Sequence, residues 1–313
     1  MSVTRRRFLQ GSGLAIAASA IGCKASALTD TGVRSVARTL VGVASVDGAG
    51  VHLTRIIGHS AITDLDPFVL LDRIHSSDPA EYVRGFPDHP HRGFETVTVM
   101  LEGRIRHRDS RGNHGVITGG GAQWMTAGRG IVHSEIPDQS EGLLSGFQLW
   151  VNLPAREKMR AQEYQDLAPA RLAEARLSSA GSIARVIAGD AAGALGPVLE
   201  RATQPLLCTV TLEDDTPFVV DVPRAHNAFV FVHSGEIEIG SPARPTLVKE
   251  GSIAILDGGS RIRLRANSRR SVALIAAGRP LHEPIVRRGP FVMNTAAEIE
   301  KAFDDYRRGT LDV

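Results

Sequence analysis

From residue 35 onward apolar residues come in short runs broken by glycine, proline and small polar residues, which is the punctuation of strands. Leu40-Val41-Gly42-Val43 and Val51-His52-Leu53 open the series. Thr96 to Leu101 alternates threonine with apolar residues, Ile105 starts a further run after Gly103, and Gln123-Trp124-Met125-Thr126 follows the turn Gly119-Gly120-Gly121. Residues 146 to 153 form the last run of this set, closed by Pro154. A second set runs through residues 182–188, 206–212, 218–222, 228–232, 235–239, 253–256, 262–264 and 272–276, and repeats the first. Between them residues 155–170 are charged and rich in Ala, Glu and Arg, the composition of a linker with a helical turn. Only the end of the chain has helical period: Ala297, Ile299, Ala302, Phe303 and Tyr306 share one face behind Asn294 or Thr295 as N-cap, with Glu298 close by. The pattern predicts an all-β chain of two tandem barrels with a short C-terminal α-helix. Its 313 residues agree, because they exceed the usual size of one hydrophobic core.

The first 27 residues break this pattern. Thr4-Arg5-Arg6-Arg7-Phe8-Leu9-Gln10 carries a twin-arginine motif, followed by a weakly apolar stretch too short to span a bilayer and by the small residues Ala25-Ser26-Ala27. The expectation is an exported, periplasmic protein cleaved after Ala27; lipid attachment at Cys23 is the second option. The domains are then residues 1–27, 28–160 and 161–313.

Cleavage also changes the charge argument. Residues 1–27 hold four basic residues and no acidic one, so the formal charge moves from +2 to −2. A near-neutral body without a basic block gives no footprint for nucleic acid, and no stretch of the body is long and apolar enough to predict a membrane span. Cys23 and Cys208 are the two cysteines, and Cys208 falls in an apolar strand-like run as an inert thiol, so no disulfide framework is expected. The protein is expected to be a monomer.

Chemistry concentrates between Phe86 and Pro137. His89-Pro90-His91 and His133-Ser134-Glu135 each place two donors at i and i+2, on one face of a strand. If the two strands are neighbours and face inward, His89, His91, His133 and Glu135 surround one point with a nitrogen and oxygen set suited to a first-row divalent metal. Glu95 competes for the carboxylate position: four residues after His91, it faces inward with it on an unbroken strand, as a ligand or as a group behind the ligands. His52, His59, His107 and His114 lack a partner at i+2 and are expected at the surface or in loops.

These residues carry a resemblance. Phe86 to Val97 together with Gln123 to Glu135, and the closing stretches Gly289 to Thr295 and Glu298 to Tyr306, resemble the pirin family of bicupins over roughly residues 36–308. The resemblance implies two cupin barrels, a single iron in the first held by His89, His91, His133 and Glu135, and no metal in the second. His226-Asn227-Ala228 agrees with that, since the second histidine of the motif is missing there. For function, it implies a dioxygenase of the quercetin 2,3-dioxygenase type that takes a small aromatic polyol and dioxygen, with Glu135 as proton acceptor. A non-catalytic, metal-dependent interaction or redox-sensing protein is the alternative. Roles in transcription known in the family do not carry over to an exported chain.

Overall fold

A computed structural model describes residues 32–312. The predicted signal, with its cleavage and lipidation options, lies outside the described residues. Two β-barrels follow one another, each made of a seven-stranded and a four-stranded sheet. In the first, the large sheet runs in the order Glu163–Leu167, Ala122–Thr126, Phe94–Glu102, Leu144–Asn152, Phe68–Ser76, Val51–Ile57, Val43–Asp47. Facing it are Phe86–His91, Ile131–Pro137, Arg104–Asp109 and His114–Thr118. The second barrel repeats this division, and all principal pairings are antiparallel.

The central strands of both large sheets are buried on both faces, which explains why they lack a polar side. Every residue of Ser271–Gly278 is buried, as is every residue from Phe94 to Met100. One face fills its own barrel, and the other packs against the neighbouring barrel. Val97, Trp124 and Leu149 of the first meet Leu207, Phe229 and Leu274 of the second in one apolar layer. Edge-to-face aromatic pairs fix the contact, Phe68 on Phe229 at 5.2 Å and Phe147 on Phe231 at 5.8 Å between centroids. The interior of the second barrel is itself apolar, packed with Val186, Val230, Ile237, Leu264 and Ile275 among others.

Two segments depart from the expected order along the chain. Ser35–Val41 pairs with Ser252–Asp257 in the second barrel instead of the first. Residues 155–170 form no simple linker: Glu163–Leu167 adds a strand to the first barrel beside Ala122–Thr126, between the single 3₁₀ turns Ala155–Glu157 and Pro169–Arg171. Its alternation is partly polar because the half-exposed Asp166 takes a hydrogen bond from Gln123 Nε2 at 2.7 Å and pairs with the buried His107.

The helix Ala296–Arg307 forms as its pattern predicts, capped by Thr295, whose side chain accepts from the Glu298 amide while Glu298 reaches back in a capping box. Ile299 and Ala302 pack on Phe291, Met293 and Leu311. This docks the end of the chain beside the first barrel, where Phe291 bridges to Arg92.

Candidate metal centre

The strands Phe86–His91 and Ile131–Pro137 are antiparallel neighbours, and the register sets His133 directly opposite His89. Three of the four expected donors therefore meet. The ligand atoms of His89, His91 and His133 all lie within 4.8 Å of one another, with ring centroids 4.4 to 5.0 Å apart. Among the described residues this is the one grouping of three metal-ligating side chains.

Two of these rings are oriented by the backbone. Nδ1 of His89 contacts the Pro87 carbonyl at 2.8 Å and Nδ1 of His91 contacts the Pro290 carbonyl at 3.3 Å. A carbonyl can only accept, so each Nδ1 carries a proton and Nε2 is the nitrogen left to face a metal. Burial, and then the neighbouring His89, holds His91 and His133 well below the ordinary histidine value, so both are neutral near pH 7. His133 is 1% exposed, yet neither of its ring nitrogens has a hydrogen-bond partner. Leaving such a group unpaired costs about 1–3 kcal/mol, and a divalent cation is a partner of the right chemistry. The donor set thus fits a bound metal.

Glu135 is buried and lines the same cavity as His89 and His91, but its carboxylate is already engaged. Oε1 accepts from Thr98 Oγ1 and Oε2 from Gln148 Nε2, both at 2.9 Å. The register shifts between His133 and Glu135, setting Glu135 opposite Phe86. Thr98 and Gln148 had no signal of their own in the sequence beyond facing inward on their strands.

Glu95 does not face inward with the histidines. The chain turns at Gly93, whose φ of +90° breaks the alternation between His91 and Glu95. Phe94 instead enters the barrel to stack on Trp150 at 4.2 Å, and Glu95 points to the layer between the barrels. There it accepts from Thr126 Oγ1 at 2.7 Å and lies 3.6 Å from Arg201, which also meets Glu163 at 3.2 Å. Counting an even step was valid only for an unbroken strand.

His107 also needs correction: it is a buried strand residue opposite Glu135, 3.2 Å from Asp166 and stacked on Tyr164. His114 is exposed as expected, and Cys208 is buried with its thiol pushed up to about 12 by burial alone. Lys158 went unnoticed in a charged stretch. Its buried ammonium donates to the Gly93 and Val292 carbonyls and to Asn152 Oδ1 at 2.6 to 2.9 Å, clamping the C-terminal segment to the turn behind His91. Burial brings its pKa down to about 7.

A cavity of about 490 Å³ leads to the histidines. Its walls mix apolar Leu53, Leu70, Phe86 and Trp150 with charged Arg55, Asp72 and Arg287.

The family comparisons agree with this architecture. The pirin family matches residues 50–151 and the pirin C-terminal cupin domain matches residues 207–312. A Pseudomonas aeruginosa protein, provisionally named a quercetin 2,3-dioxygenase, is 44% identical over 288 residues, 90% of this chain and all of the relative. A pirin-like protein of Caulobacter vibrioides is 44% identical over 88% of this chain and 99% of its own. The crystal structure of a quercetin 2,3-dioxygenase from Acinetobacter baumannii superposes with a TM-score of 0.82 at 33% identity, covering 89% of this chain and 98% of the other. With the two barrels, the single histidine cluster and these matches together, the chain belongs to the pirin family of bicupins.

Proposed function

We propose that the protein is an iron-dependent dioxygenase of the quercetin 2,3-dioxygenase type, acting on a small aromatic polyol. The observation that carries this reading is the cavity that reaches His89 and His91 of the three convergent histidines, a shape that admits a planar molecule and that an interaction surface has no need of. The names of the Pseudomonas and Acinetobacter relatives support the substrate class.

His89, His91 and His133 would hold the metal, with Glu135 completing the set from the cavity wall. The metal, when bound, supplies Lewis acidity toward a substrate oxygen and a route for electrons to dioxygen. Pro87 and Pro290 carbonyls keep two rings aimed at the centre. Trp150 and Phe86 flank the place where an aromatic ring would lie. Glu135 is the one carboxylate among the lining residues next to the histidines, so it receives the proton that a substrate hydroxyl gives up on binding. Thr98 and Gln148 hold that carboxylate in place and partly offset its charge.

Metal analysis of the purified protein, followed by oxygen uptake with a panel of flavonols and catechols, tests this reading. Iron together with oxygen consumption dependent on one of these substrates supports it; a metal-loaded protein that consumes none with any of them refutes it. We further propose that the protein works in the periplasm, exported by its twin-arginine segment with Arg5 and Arg6.

A further inference from the structure

The cavity that leads to the histidines is also lined by a cation that, among the described residues, no carboxylate touches. Arg55 and Arg287 both line it, but they are treated differently. Arg55 is fully compensated, with Nε and Nη2 on the two oxygens of Asp72 at 3.0 and 2.8 Å and Nη2 on Asp47 at 2.9 Å. Arg287 makes no ion pair among the described residues. Its two Nη groups donate to backbone carbonyls, Val69 at 2.5 Å and Gly58 at 2.8 Å, which fix its position without neutralising it. Gly58 makes room for this arrangement, since a Cβ there would stand 2.7 Å from Nη1. Burial lowers the Arg287 pKa and the positive Arg55 nearby adds to that, while Asp64 and Asp72, neither of them in contact, only partly oppose it.

A half-buried guanidinium held by backbone carbonyls at a ligand cavity, with no carboxylate in contact, is suited to receive one from the ligand. The same cavity is lined by Leu70, Trp150 and Pro290, walls that suit a flat apolar body. Arg287 and Pro290 also belong to one short segment, so the residue that orients His91 and the residue that meets the ligand's far end move together.

Resting on the function proposed above, we infer that the natural ligand is an anionic aromatic diol, its hydroxyls toward His89 and His91 and an ionised group, such as a carboxylate, against Arg287. Arg287 is then the specificity-determining residue for charge.

Calorimetric titration of the purified full-length protein, its metal content measured beforehand, with 3,4-dihydroxybenzoate, the neutral 3,4-dihydroxybenzamide and catechol tests this. The acid is expected to bind roughly 10- to 100-fold more tightly than the amide, the worth of a hydrogen bond to a charged group. Arg287→Gln should abolish that preference, and Arg287→Lys should keep part of it. Equal affinity for acid and amide in the unmodified protein overturns the inference without recourse to any variant. If none of the three binds to metal-loaded protein, the aromatic-diol reading fails and this inference with it.

Discussion

Exchanging each of the two buried glutamates for glutamine separates the metal-site role from the structural one. In Glu135→Gln the side chain keeps its shape and loses its charge. One of its two hydrogen bonds, from Thr98, survives, while the new amide meets the Gln148 amide donor to donor unless Gln148 turns over. The folding cost is therefore at most about 1–3 kcal/mol, and near zero if Gln148 rotates. Bound metal should suffer more: loss of a group behind the ligands costs roughly 10- to 100-fold in affinity, and loss of a ligand should exceed that. Glu95→Gln removes the charge facing Arg201, which is 6% exposed. A buried pair stripped of one partner loses about 3–5 kcal/mol, but Arg201 retains Glu163 at 3.2 Å and Thr126 retains an acceptor, so about 1–3 kcal/mol is expected. For a chain of this size that lowers Tm by roughly 2–10 °C. Metal content by plasma mass spectrometry and melting curves, measured on both variants, decide the matter. If Glu95→Gln strips the metal while Glu135→Gln retains it, the assignment of the site carboxylate is wrong.

Three other outcomes follow from single features. Gly93→Ala forces a side chain into the Val292 carbonyl at a φ of +90°, so it should destabilise by more than about 3 kcal/mol in urea titration and weaken metal binding together. His233 accepts at Nδ1 from Arg73 Nε, and burial, then Arg73 and His75, hold its pKa down to about 3. Its folded value lies below the ordinary one, so its share of stability is complete above about pH 6.5 and is lost as pH falls toward 3. His233→Gln should flatten the urea midpoint across that window, and an unchanged slope would reject the account. Combined Arg5→Lys and Arg6→Lys should leave the protein in the cytoplasm on fractionation; normal export of the double variant would dismiss the twin-arginine assignment.

The strand content, the two barrels and the capped terminal helix were legible because alternation, turn residues and a capping box are local properties. The histidine triplet was legible too, since His89 and His91 at i, i+2 share one strand face and the neighbouring strand sets His133 opposite His89. What sequence could not convey depended on a single backbone torsion or on contacts far along the chain. Gly93 reversed the direction of Glu95, and nothing in His91-Arg92-Gly93-Phe94-Glu95 marks which glycine breaks a strand. Lys158 and Asp166 looked like linker charges because their partners, Val292 in one case and His107 in the other, are distant in sequence. His107 reads as a loop residue for the same reason.

The chain ends are exchanged: Ser35–Val41 completes the second barrel, while Phe291 and the helix after it lie on the first. During synthesis, then, the strands that carry all three histidines emerge long before the carbonyl of Pro290 that fixes the His91 ring, and before the Val292 carbonyl that accepts from Lys158. The first barrel can collapse early, but its metal-binding geometry is finished only when the last segment returns to it. A chain stopped in the second barrel would thus hold the histidine cluster without the carbonyl that orients His91, so full metal affinity awaits the last segment.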